Sequence, residues 1–133
     1  MSLLPTLRVL LVDDDPWILE GLSRALRTRG VTTRVATSAA HALAVLDDDP
    51  FDGIITDLDL GPGPNGLVLL AAVRERFPTL RRLIHSGSEP LLVDAGLADY
   101  VFTKPANLDA LVAALATDLT AEPLPRRRES TGF

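Results

Sequence analysis

Residues 53–61 read Gly53-Ile54-Ile55-Thr56-Asp57-Leu58-Asp59-Leu60-Gly61 (GIITDLDLG). A short apolar, β-branched run stops abruptly at an acid, and the Gly/Pro-rich loop Gly61-Pro62-Gly63-Pro64 follows. That pattern predicts a strand buried on both faces, ending in Asp57 at the edge of a sheet. The chain on either side repeats the theme. Leu7 to Val12 (LRVLLV) is a second buried run that ends in an acidic triplet, Asp13-Asp14-Asp15.

Helical patterns separate the strands. Pro16 suits a first helical turn, and Ile18, Leu22, Ala25 and Leu26 share a face up to a stop at Gly30. Val31 to Ala36 reads as a strand. Ser38 caps a helix whose Ala39, Ala42, Leu43 and Leu46 align, ending before Pro50. A third helix runs from about Asn65 to Phe77, and a fourth strand from Leu80 to His85. A fourth helix, short at best because it contains Pro90, spans Glu89 to Gly96. Tyr100 to Thr103 is the fifth strand, and Leu108 to Leu119 the last amphipathic helix.

Strands alternating with helices predict an α/β, doubly wound parallel sheet with helices on both faces. Five strands in so short a chain favour the flavodoxin-like order 2-1-3-4-5. No GxGxxG or P-loop pattern follows the first strand, which removes the nucleotide readings. One domain is expected over residues 7–119, with residues 120–133 as a disordered tail or the start of a linker.

Composition narrows the function classes. Of 133 residues, 47% are hydrophobic and none is cysteine, which fits a folded domain without disulfides or a thiolate zinc site. No apolar run approaches the roughly 18 residues of a membrane span, and no signal-peptide layout opens the chain, so a cytoplasmic domain is expected. The net charge of −5 argues against nucleic acid as a direct ligand. Arg126, Arg127 and Arg128 form the one dense basic run, readable as a solvated linker or as a binding patch.

In this strand order, ligands bind beyond the carboxyl ends of the strands, where the order reverses between strands one and three. Asp13, Asp14, Asp15 and Asp57 would meet there. Crowded carboxylates raise one another's pKa values, and a hard divalent cation relieves the conflict. The plainer alternative is that the triplet only complements a helix dipole. Ser86 and Lys104 end strands four and five at the same edge; singly, each reads as a turn former or a solvated cation.

Taken in order, LLVDDDP, GIITDLDL followed by Gly66, IHSG and TKP resemble the receiver domain of two-component response regulators over roughly Leu7 to Leu119. The resemblance implies that Asp57 accepts a phosphoryl group from a histidine kinase, a phosphotransfer protein or a small phosphodonor. It implies Mg2+ held by Asp14, Asp57 and the backbone carbonyl of Asp59, with Asp13 acting through water. Lys104 would pair with the phosphoryl oxygens and Ser86 would hydrogen-bond them. Output would pass to a protein target or to an output domain beyond this chain, with homodimer formation left open.

Three features depart from the family's pattern, the first a loop after Asp57 (LDLGPGPNG) one residue longer than the common form. The segment from Ser86 to Lys104 is short, and Val101 stands where the family's switch aromatic lies. Tyr100 and Phe102 flank it, as packing residues or as switch candidates. Two rivals remain: a phosphorylation-independent module of the same fold, and a haloacid-dehalogenase-type phosphatase, whose DxD motif GIITDLDLG also resembles. Trp17 is expected near the site, His41 on a helix surface, and His85 packed at a strand end.

Overall fold

A computed structural model describes residues 7–87, 96–116 and the pair 127–128. The strands are β1 (Arg8–Val12), β2 (Thr32–Ala36), β3 (Gly53–Thr56), β4 (Arg81–Ser86) and β5 (Tyr100–Thr103). The helices are α1 (Pro16–Arg27), α2 (Ala39–Asp48), α3 (Gly66–Arg76) and α4 (Leu108–Ala116). The expected order holds: β2-β1-β3-β4-β5, all neighbours parallel. A two-residue strand, β6 (Arg127–Arg128), pairs in parallel with the outer edge of β5, inside the stretch read as tail. The short helix expected over Glu89 to Gly96 falls outside the described residues, apart from Gly96, which lies in a turn.

Alternation along the central strands builds two cores, because successive side chains point to opposite faces. Leu10, Val12, Ile54 and Ile84 face α2 and α3. Val9, Leu11, Ile55 and Leu83 face α1 and α4. β1, β3 and β4 are buried along almost their whole length, whereas the edge strand β2 leaves Thr32, Arg34 and Val35 exposed. This is why β1 and β3 read as nearly continuous apolar runs and β2 does not.

The helix starts follow local chemistry. The Asp15 side chain accepts the N–H of Trp17 ahead of Pro16, Ser38 accepts from His41, and Asn65 accepts from Val68. The buried line of α1 is Leu19, Ser23 and Leu26, rotated from the expected face; Ile18, Leu22 and Ala25 are only half-buried beside it. Ser23 tolerates burial because its hydroxyl shares a hydrogen bond of 2.5 Å with that of Thr33. Helix α1 ends at Arg27, and the chain turns through Gly30, whose φ of +84° suits glycine.

Two-sided burial makes a quantitative prediction. Leu10→Ala, at a site with no exposure, is expected to cost about 2–5 kcal/mol in urea unfolding. Val35→Ala, on the exposed edge, should cost under about 1 kcal/mol. Equal losses would contradict the layered assignment.

Candidate phosphoryl-transfer site

The site is assembled by strand register. Val12 pairs with Thr56, and the Asp57 N–H donates to the Val12 carbonyl at 2.9 Å, which places Asp57 beside Asp13. Ser86 pairs with Thr103, and the Lys104 N–H donates to the Ser86 carbonyl at 2.9 Å. Four strand ends thus deliver acids, a hydroxyl and an ammonium to one edge. Residues up to 91 positions apart in sequence become neighbours there.

Asp13, Asp14 and Asp57 each bring a carboxylate oxygen within 4.8 Å of the others. Asp13 and Asp57 are buried and Asp14 is exposed. Lys104 Nζ donates to Asp13 Oδ2 at 2.7 Å and to Asp57 Oδ2 at 3.0 Å. The second Asp13 oxygen accepts the Asp15 N–H at 2.9 Å. Burial works against the Lys104 charge, but its hydrogen bonds to Asp13 and Asp57 outweigh it and hold its pKa above the ordinary lysine value. The Asp14 carboxyl is raised, first by desolvation and then by the charges of Asp13 and Asp59. Three hard oxygen donors this close suit a divalent cation such as Mg2+ and do not suit a soft metal.

The loop after β3 is shaped around the site. The Asp59 N–H lies 3.5 Å from Asp57 Oδ1, and Asp59 Oδ1 accepts the Gly61 N–H at 3.0 Å. Gly66 starts α3 directly against β3: a Cβ there would sit 2.1 Å from the Asp57 carbonyl oxygen, so no larger residue fits. Ser86 is buried at the end of β4, with 3% of its surface exposed.

Other expectations meet the structure as follows. Tyr100 and Phe102 are buried in the α1–α4 core with ring centroids 6.3 Å apart, a packing arrangement. Val101 lies on the opposite face of the sheet. Trp17, 80% exposed, follows the acidic triplet at the start of α1. His41 is exposed on α2, as expected.

His85 is packed at a strand end, as expected, and the structure adds its closeness to the site. It is buried at the end of β4, and together with Asp13 and Asp57 it lines a small cavity beneath the carboxylates. Its place one residue before Ser86 was the available signal. Burial first, and Lys104 second, lower its pKa to about 4, against the opposing pull of Asp13 and Asp57.

Fold and site together define a class: doubly wound α/β domains with an acidic crevice at the switch point, closed by a lysine from the last long strand. The family model described as "Response regulator receiver domain" matches residues 9–116. The alginate biosynthesis transcriptional regulatory protein AlgB of Pseudomonas putida is 38% identical over 128 residues, covering 92% of this chain and 28% of AlgB. A Burkholderia pseudomallei response regulator, solved with a phosphorylated aspartic acid, calcium ion and citrate, superposes with TM-score 0.76 at 31% identity. That match covers 84% of this chain and 67% of the other. TrrA of Thermotoga maritima, solved with Mg2+-BeF, gives TM-score 0.75 at 27% identity, covering 83% and 99%. The chain belongs to the response regulator receiver family. It spans well under half the length of AlgB, and no helix among the described residues is long and apolar enough to cross a membrane.

The lowered His85 pKa carries a sign. The folded state prefers neutral imidazole, so the unfolded chain binds the proton first as pH falls. Its contribution is fully present above pH 6.5 and is lost progressively down to about pH 4. Its full extent is roughly 3 kcal/mol. Urea unfolding of the metal-free protein at steps across that window should show a shallower acid slope for His85→Met than for wild type. Parallel slopes would remove the assignment.

Proposed function

We propose that Asp57 is the phosphoacceptor and that Mg2+ binds beside it. The observation that carries this reading is the Lys104 ammonium bridging Asp13 and Asp57 at the strand ends. Asp14 and Asp57 would ligate the ion through carboxylate oxygens, Asp59 through its backbone carbonyl, and Asp13 through water. When bound, the ion neutralises charge on the transferring phosphoryl oxygens.

The chain's own residues supply the rest. An Asp57 carboxylate oxygen attacks phosphorus in line with the leaving group. The new O–P bond forms as the bond from phosphorus to the donor's nitrogen or oxygen breaks, and the donor leaves with that electron pair. Lys104, already hydrogen-bonded to Asp57, needs only a small displacement to reach a phosphoryl oxygen. The buried Ser86 hydroxyl stands at the adjacent strand end to donate to another. The product adds about −2 charge at a site built on four strand ends, which can bias a surface between two arrangements.

A histidine kinase or phosphotransfer protein is the proposed donor. The proposed receiver of the signal is a protein target or an output domain outside this chain. AlgB is itself a transcriptional regulatory protein, so the expectation of no direct nucleic-acid contact concerns this acidic segment alone. The phosphatase reading loses support, because the DxD stretch follows β3 and the acids that follow β1 converge on it.

Intact mass after incubation with acetyl phosphate tests the proposal. A single phosphate adduct that needs both Mg2+ and Asp57, and is absent in Asp57→Ala, is the expected result. A folded wild type that takes no label would instead favour a phosphorylation-independent interaction module.

A further inference from the structure

Lys104 anchors Asp13 and Asp57, but its hydrogen bonds do not extend to Asp14, the exposed arm of the acidic triad. Something else must restrain that carboxylate if it is to be a metal ligand. The nearest restraint is the loop after β3. Gly61 adopts φ +76°, in the left-handed region, and a Cβ placed on it would lie 3.1 Å from Asp14 Oδ2. The Gly61 backbone therefore forms a wall beside the Asp14 carboxylate, and a methyl group there would have to push Oδ2 aside by a few tenths of an ångström.

The wall is held in place locally. Asp59 Oδ1 accepts the Gly61 N–H at 3.0 Å, a side-chain turn that folds the loop back toward β1. Asp59 stands two residues beyond Asp57, whose place is fixed by the register of β1 with β3. We propose that Asp59 and Gly61 act as a brace that positions Asp14 for the cation. Asp59 is then a positioning residue through its side chain, apart from any ligand role of its backbone carbonyl. This inference rests on the metal reading given above.

The loop contains its own control. Gly63 also has a positive φ, +97°, but a Cβ there would meet nothing within 4 Å. Alanine at either position must take a positive φ that L side chains rarely adopt, and only at position 61 does it press on Asp14. A second control separates the Asp59 hydrogen bond from its charge. Asp59→Asn keeps the Oδ1 acceptor and Asp59→Ala removes it, while both remove the negative charge.

Mg2+ alone, titrated into each metal-free variant by calorimetry, reads the brace without any phosphodonor. Thermal unfolding of the same samples checks that each is folded. Gly61→Ala should weaken Mg2+ binding about tenfold or more, the range seen when groups that orient a ligand are lost. Gly63→Ala should stay within about threefold of wild type, and Asp59→Ala should bind more weakly than Asp59→Asn. Equal affinities for the two glycine variants, or for the two Asp59 variants, would overturn the brace alone, provided wild type binds and Asp14→Asn does not. A wild type that takes up no Mg2+, or an Asp14→Asn variant that binds as tightly as wild type, would overturn the metal reading and the brace with it.

Discussion

Like charge forced together at strand ends is the constraint on which this structure turns. Parallel register places Asp13 beside Asp57, and neither can move away without breaking the pairing of β1 with β3. Buried carboxylates this close are costly unless positive charge is supplied. Lys104 supplies it from the end of β5, and the raised pKa of Lys104 reflects the same balance seen from the cation. One ammonium cannot serve three carboxylates equally. Asp14 remains outside its reach, and the site keeps a demand for cationic charge that a hard divalent ion can meet.

The rest of the fold holds that arrangement still. Core layers on both faces of the sheet fix the strands, and the Lys104 N–H to Ser86 carbonyl bond ties the last two strand ends together. Glycine does its work where backbone must approach a functional group. Gly66 allows α3 to start against the Asp57 carbonyl, and Gly61 lets the loop approach Asp14. His85 adds a neutral, buried imidazole beneath the carboxylates, so acid weakens the fold from within the site itself.

Much of this was legible in the sequence because it depends on local pattern. Runs such as LRVLLV and GIIT are uninterrupted since their strands are covered on both faces, and each ends in the acid that the register delivers to the crevice. Ser38 and Pro16 announced helix starts through capping chemistry alone. What could not be read depends on three-dimensional contact. The buried line of α1 runs through Ser23, whose burial is permitted by its hydrogen bond with Thr33, a contact that apolar periodicity does not register. The Lys104 bridge, the Gly61 wall and the setting of His85 each join residues distant in sequence. The pairing of Arg127–Arg128 with β5 is likewise a backbone contact that composition hides beneath a basic, proline-rich stretch.

The claim that Lys104 and a divalent cation answer the same charge demand can be measured directly. Unfolding midpoints of wild type and Lys104→Met are compared without metal and across a Mg2+ titration. The account predicts that the variant gains more stability from Mg2+ than wild type does, because its carboxylates have lost their internal cation. A gain in Lys104→Met equal to or smaller than that of wild type would contradict it.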